Sequence, residues 1–358
     1  MAAVPKWHDG RMQVVYTAAH LGHDPKTGIE QSGIGPAFEH IGRAEAIRET
    51  LEGDDRFEFV MPTDHGLGPI EEIHDVDLVR FLATGWAEYQ ADVGPTADVT
   101  PDVFYRPALR AGMSERGAPA SINGRLGWYC FETTTPLTEH TYDAARSAVD
   151  TALTTTDLVL GGQQSAYGLC RPPGHHATSG MYGGYCFFNN AAIAANHITR
   201  TTGTKVTVLD VDYHHGNGTQ QIFYARDDVQ YVSLHGDPTR AYPYNIGYAD
   251  ETGAGRGLGH NINMPLPIRT DDDDYIVSLR QAMDRIQSFG PSTLIVSLGL
   301  DTFISDPISD LAITAEGFER CGAAVAEMGV PTVVLQEGGY DVSALGDNVR
   351  RWLIGLGA

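Results

Sequence analysis

Apolar residues along this chain follow two periods. Short, uninterrupted runs rich in β-branched residues occur at Lys205-Val-Thr-Val-Leu-Asp-Val-Asp212, Ser292-Thr-Leu-Ile-Val-Ser-Leu-Gly-Leu-Asp301 and Val330-Pro-Thr-Val-Val-Leu-Gln336. Runs of that kind predict strands buried on both faces, as in parallel sheets. Between and before them, His74 to Gln90, Ala191 to Arg200, Tyr275 to Phe289 and Ala315 to Met328 carry the wider spacing of amphipathic helices. Strand and helix alternate, which predicts an α/β fold with a central, mainly parallel sheet between helical layers. No Pro/Gly/Ser-rich linker or internal repeat divides the 358 residues, so residues 1–358 read as one domain. The stretch 92–121 has no period and is rich in Pro and Ala, and it reads as an inserted loop near the active site.

The apolar runs stop at chemistry. The first continues into Asp210-Val-Asp212-Tyr-His214-His215, and successive strand side chains point to opposite faces. Asp210, Asp212 and His214 therefore share one side if the extended geometry persists past Tyr213, while His215 turns away to a packing role. The second run ends at Asp301, followed by Asp306-Pro307; the third ends in Glu337-Gly-Gly-Tyr340, where the glycines permit a tight turn that aims Tyr340 back across the strand ends. Upstream lies Arg171-Pro-Pro-Gly-His175-His176-Ala177. One apolar strand ending in an acid is commonplace, and its bland reading is a solvated side chain. Several such segments delivering His-His, Asp-x-His, Asp and Tyr to one sheet edge suit a divalent metal such as zinc, which takes carboxylate oxygen and imidazole nitrogen. The remaining histidines, His20, His23, His40, His65, His74, His140, His197, His235 and His260, lack ligand spacing and read as surface or hydrogen-bonded residues. Gly253 to Gly259 has no phosphate-binding lysine and reads as a mobile loop, and Asp271 to Asp274 as a solvated helix start.

With Gly183-Gly-Tyr-Cys-Phe-Phe-Asn-Asn190, Leu209 to Gly218, Ser233-Leu-His235 and Gly299-Leu-Asp301 added, the chain resembles the histone deacetylase and acetylpolyamine amidohydrolase family over roughly Val14 to Trp352. Asp24-Pro-Lys-Thr27, Arg43-Ala-Glu45, Leu126-Gly-Trp-Tyr129 and Gly236-Asp-Pro238 resemble the acetylpolyamine branch. The resemblance implies an arginase-like α/β/α fold and one zinc ion held by Asp212, His214 and Asp301. It implies His175 and His176 as the catalytic pair, with His176 the base, and Tyr340 as the oxyanion donor. Asp210 would orient His175, and Asn217 would stand beside His176 where many relatives have an aspartate. A potassium ion would be bound by Asp210, by the carbonyls of Asp212, His214 and Leu234, and by the Ser233 hydroxyl. Gly184, Tyr185 and Tyr242 would line the substrate tunnel. A homodimer is implied by the 92–121 insertion. The acids that hold polyamines in that branch align with Gly28, Asn123 and Thr134, leaving nearby Glu30 and Glu132 as replacements, each two residues along a strand from its aligned place.

The expected activity is thus metal-assisted hydrolysis of a small-molecule amide, neutral or xenobiotic rather than a polyamine. A protein acetyl-lysine deacetylase, an arginase-like two-metal hydrolase and a non-catalytic acyl-amine binder are the alternatives. Net charge of −22 opposes nucleic-acid binding. The four cysteines, Cys130, Cys170, Cys186 and Cys321, lack CxxC spacing, and no N-terminal apolar segment suggests a signal or membrane span, so the expected location is cytoplasmic.

Overall fold

The computed structural model describes residues 10–30 and 33–358, without the side chains of residues 29 and 30. Its strands are β1 (Met12–Val15), β2 (Gly28–Glu30), β3 (Gly33–Gly35), β4 (Phe57–Val60), β5 (Ser165–Gly168), β6 (Val206–Asp210), β7 (Val229–Gly236), β8 (Asn261–Leu266), β9 (Thr293–Leu298) and β10 (Thr332–Gln336). Strands β2 and β3 form a separate antiparallel hairpin, and the other eight make one sheet in the order β4-β1-β5-β10-β9-β6-β7-β8. Every neighbouring pair in that sheet is parallel.

Residue alternation along the strands builds two cores. Val206, Val208, Ile295, Val333 and Leu335 face a layer that contains helices Val76–Asp92, Ile122–Tyr129, Thr141–Leu160 and Asn190–Thr202. Leu209, Leu294, Val296, Leu298 and Val334 face the opposite layer, with helices Ile41–Glu52, Asp272–Phe289, Ala315–Ala326 and Val342–Leu356. The central strands are buried on both sides, which is why their sequence shows continuous apolar runs rather than alternation. Each fully buried aliphatic side chain contributes about 1.5–3 kcal/mol, so these two cores fix the strand ends on which the site depends.

Helix boundaries follow local chemistry. Asp271 accepts from the Asp273 and Asp274 amides and starts Asp272–Phe289, and Gly290, at φ 70°, ends it in the left-handed conformation. Thr314 caps Ala315–Ala326 by accepting from Gly317 N. Gly253 to Gly259 is a packed turn, held by Ala254 N donating to Tyr224 O at 2.8 Å and Gly259 N to Thr252 O at 2.6 Å. The stretch after Asp92 is irregular apart from the short 3₁₀ turn Pro107–Arg110. It is tied down where Val99 pairs with Leu137 and where Tyr105 packs on Trp128 at 4.3 Å, while Val103, Leu109 and Met113 stay exposed.

The strand expected to carry Asp212 and His214 stops earlier, at Asp210. Side chains take over from the ladder at that point. Asp212 N donates to Asp210 Oδ1 at 3.2 Å, Tyr213 N to Asp301 Oδ1 at 2.8 Å, and His214 N to Asp212 Oδ1 at 2.9 Å. A backbone satisfied this way leaves the sheet and turns. Strand periodicity is therefore not what brings Asp212 and His214 to one place.

Candidate active site

Carboxyl ends of adjacent parallel strands β10, β9 and β6 meet where the site lies, at the edge open α/β sheets use for ligands. His214 Nδ1 stands 2.9 Å from Asp301 Oδ2 and 3.4 Å from Asp212 Oδ1. Ligand atoms of these three residues lie within 4.8 Å of one another, and all three residues are buried. Gly338 N donates to Asp212 Oδ2 at 2.7 Å, and a Cβ on Gly299 or Gly338 would come within 2.0 or 2.5 Å of that oxygen. Only glycine lets the backbone close so tightly around the acid.

Burial and mutual charge set the protonation of this cluster. Burial pushes the Asp301 carboxyl up to about 7, helped by the neighbouring Asp212 charge and opposed by His214. Burial works against protonation of His214, but hydrogen bonds to Asp212 and Asp301 raise it to about 9. Asp212 moves the other way: burial opposes its charge, and His175 and His214 hold it well below the usual carboxylate range. Two buried acids and an imidazole in contact are costly unless a cation or proton is shared among them. The donor set of two carboxylates and one imidazole suits zinc, and three protein ligands leave a coordination position open.

The tandem histidines stand against this cluster with ring centroids 4.0 Å apart. His175 Nδ1 is 3.1 Å from Asp210 Oδ2, and His176 Nδ1 is 2.7 Å from Asn217 Oδ1. Donation from each Nδ1 leaves both Nε2 atoms free to accept or hold a proton. Their environments pull them apart. Burial lowers His175, but Asp212 and Asp210 override it and hold it well above its ordinary value. Burial lowers His176 too, and the positive charges of His175 and His214 push it further down.

Tyr340 follows the turn made by Gly338 and Gly339 (φ 123°). Asp306 Oδ2 accepts from Tyr340 N at 2.7 Å. Arg43 donates to Gly339 O and Glu337 O, both at 2.6 Å, and its guanidinium sits 4.5 Å over the Tyr340 ring. Tyr185 packs on Tyr340 at 5.7 Å, and Tyr242 packs edge-on to His176 at 5.0 Å. A Cβ on Gly184 (φ 58°) would lie 2.3 Å from the His176 ring, so the wall passes that ring on bare backbone. Asp210 and Ser233 are register partners on β6 and β7, buried beside Leu234; Ser233 Oγ also contacts His235 Nδ1 at 2.8 Å.

Expectations for the wall fare differently. Asn123 is exposed in the first turn of helix Ile122–Tyr129, and Thr134 lies in an irregular segment, so the strand spacing assumed for Glu132 does not exist. Glu132 instead turns onto its own chain, accepting from Thr134 N, Thr135 Oγ1 and, at 3.0 Å, Gly184 N. The side chain of Glu30 lies outside the described residues. A cavity of about 510 Å³ beside Tyr340, lined by Pro25, Lys26, Phe38 and His40 among others, has no carboxylate in its lining among the described residues.

Several contributors were invisible in the strand pattern. Tyr231 Oη donates to Asp210 Oδ2 at 3.0 Å from the neighbouring strand. Glu39 accepts from Arg171 Nε and Nη2 at 2.8 and 3.0 Å and from Arg43 at 3.1 Å, forming a buried frame under the Tyr340 turn. Arg171 stands inside the quoted His-His motif, yet no spacing marks its partner. Glu337 accepts from Gly174 N and His175 N at 2.6 and 3.2 Å, and burial raises its carboxyl to about 7. It ends an apolar strand as Asp301 does, and that signal was available. His215 packs away from the cluster, with Nε2 3.0 Å from Gln220 Oε1 and its ring 4.6 Å from His235.

The histone deacetylase domain description matches residues 37–356. The chain is 41% identical over 345 residues to acetylpolyamine amidohydrolase 2 of Pseudomonas aeruginosa, covering 96% of this chain and 98% of that one. It is 40% identical over 345 residues to acetylpolyamine amidohydrolase of Mycoplana ramosa, covering 96% and 99%. The crystal structure of acetylpolyamine aminohydrolase from Burkholderia pseudomallei superposes with a TM-score of 0.90 at 37% identity, covering 97% of this chain and 99% of that one.

Proposed function

Because this chain belongs to the histone deacetylase family, among amidohydrolases, we propose that it hydrolyses the acyl amide of a small, weakly charged molecule at a single zinc ion. The observation that carries the reading is the buried convergence of Asp212, His214 and Asp301 beside two histidines with free Nε2 atoms. Zinc bound there supplies Lewis acidity, lowering the pKa of water and polarising a carbonyl.

The chain's own groups do the rest. His176 Nε2 takes the proton of the attacking water, since Nδ1 is committed to Asn217. An amide partner is uncharged, so it orients the ring without making it as basic as a carboxylate would. His175, oriented by Asp210, carries positive charge toward the reacting centre and delivers a proton to the leaving amine. Tyr340 offers its hydroxyl to the developing oxyanion, and Arg43 and Asp306 hold the turn that positions it. Tyr185, Tyr242 and Gly184 wall the channel to the acyl group. Asp210, Ser233 and the carbonyls of Asp212, His214 and Leu234 give an all-oxygen set for potassium, which fits a hard cation.

The relatives named for acetylpolyamines suggest that substrate class, but the wall here argues for a different one. Gly28, Asn123 and Thr134 are uncharged, and Glu132 is committed to three donors of its own chain. A charge-assisted hydrogen bond is worth about 1.5–3 kcal/mol, so a polyamine loses much of its selective binding. The test is kcat/KM for acetylputrescine, acetylspermidine, an acetyl-lysine peptide and neutral N-alkyl and aryl amides, with and without chelation. We expect neutral amides to be preferred, chelation to abolish turnover, and zinc or cobalt to restore it. A polyamine preference of roughly 100-fold would overturn the substrate class, a peptide preference would favour a protein deacetylase, and no turnover at all a binding protein.

Exposed Val103, Leu109 and Met113 on the insertion support a homodimer through that segment, which light scattering checks against a monomer. Four free, buried cysteines support a reducing, cytoplasmic location, and no helix among the described residues is long and apolar enough to cross a membrane.

A further inference from the structure

Behind the catalytic pair lies another convergence of ligand atoms. His175, Cys186 and Glu337 are all buried, and one ligand atom from each lies within 4.8 Å of the other two. Among the described residues this is the one such group besides Asp212, His214 and Asp301. A tetrahedral ion with bonds of about 2.0–2.3 Å spaces its ligands somewhat more closely, so small side-chain adjustments suffice.

A second observation points to a ligand. Glu337 Oε2 accepts from Gly174 N and His175 N, but Oε1 is buried with no hydrogen-bond partner. Orphan buried oxygens of this kind are rare and call for an explanation such as an ion or a water. His175 is also arranged as a ligand: Nδ1 is held by the Asp210 carboxylate, the outer partner that metal-binding imidazoles usually have, and Nε2, 3.8 Å from Asp212 Oδ1, is the nitrogen left to coordinate. Cys186 Sγ donates to Gly184 O at 3.2 Å and also meets the His176 backbone, and thiol bonds of this kind are weak and cost little to give up.

We propose that His175, Cys186 and Glu337 form a second, inhibitory site for a borderline or soft divalent metal ion such as zinc or cobalt. On binding, the Cys186 S–H bond breaks, a sulfur–metal bond forms, and the proton leaves to buffer. The carboxylate of Glu337 and the thiolate of Cys186 then neutralise this ion, as Asp212 and Asp301 neutralise the first. Thiolate selects against magnesium and calcium. Inhibition follows because the ion occupies the His175 nitrogen that otherwise handles a proton; this part alone rests on the role proposed for His175.

Cobalt distinguishes the two sites by colour. The first equivalent meets only oxygen and nitrogen and gives no sulfur-to-cobalt charge-transfer band in the near ultraviolet. A second equivalent should produce that band in parallel with loss of turnover on whichever amide the protein cleaves. Even outer partners of metal ligands change affinity by roughly 10–100-fold, so Cys186→Ala should abolish the band and weaken the second binding at least that much, leaving the first equivalent in place. Glu337→Gln should keep the band but require more cobalt, and it decides the matter if Cys186→Ala does not fold. No band at saturating cobalt in reduced protein overturns the site, as does a band that survives Cys186→Ala. Inhibition by excess cobalt that persists in Cys186→Ala overturns its inhibitory role.

Discussion

At the floor of the site Asp212 and Asp301 turn toward each other and toward His214, with Asp301 and His214 raised to about 7 and 9. On the wall Glu132 turns its oxygens onto Thr134, Thr135 and Gly184, all donors of its own chain. Both regions use carboxylates, but the floor packs two buried acids against one imidazole, whereas the wall turns its single acid onto three uncharged donors. The first arrangement is unfavourable by itself and favourable with a cation. The second points its oxygens at backbone and hydroxyl donors and so fixes the backbone that passes the His176 ring. On the proposed reading, the floor serves the reaction common to the family and the wall sets what is admitted.

The hardest blow to this contrast is Asp301→Ala. It removes a proposed ligand and the acceptor of Tyr213 N together, and turnover and bound metal should both fall to background, read by metal analysis and rate. Full activity in metal-free protein would break the floor reading outright. Tyr340→Phe removes one hydroxyl, and kcat should drop by roughly 10²–10³-fold, with metal content unchanged. Near wild-type turnover would remove Tyr340 from the reaction.

Beneath the floor, Glu39 gives a pH prediction. Burial opposes its charge, but Arg171 and Arg43 outweigh that and lower it from 4.5 to about 2. A lowered value means stability that is fully present above the unfolded value and is lost as pH falls from about 4.5 toward 2. The contribution is on the order of 3 kcal/mol. Denaturant melts across that range should lose this slope in Glu39→Gln, and an unchanged slope would show that the frame is not coupled to folding. The smallest effect belongs to the wall. Glu132→Gln keeps one acceptor oxygen and should raise KM by roughly 2–10-fold through the displaced Gly184 segment, with metal content unaffected. Strong gain or loss of polyamine turnover in this variant would mean that Glu132 faces substrate after all.

Much of the floor was legible because its signals are local. Apolar runs at Val206–Asp210, Thr293–Leu298 and Thr332–Gln336 must be buried parallel strands, and acids at such ends recur at one sheet edge. His175 lies against Asp210 and His176 against Asn217, at 3.1 and 2.7 Å. The strand periodicity offered for Asp212 and His214 failed, because side chains of Asp210, Asp212 and Asp301 replace the ladder there and turn the chain.

What the sequence determined by itself was the alternation of helices with the three central strands, their apolar faces, and which residue types stand at those strand ends, since these depend on period and on near neighbours. Tertiary structure alone decided that Tyr231 reaches Asp210 across a strand pair, that Arg171 and Arg43 share Glu39 beneath Tyr340, and that Glu132 is consumed by Gly184. Each of those contacts joins residues separated by more than a turn or a register step. A polar side chain near a site does not reveal in sequence whether its hydrogen bonds are already taken, and that is settled only when the backbone donors it meets have been placed.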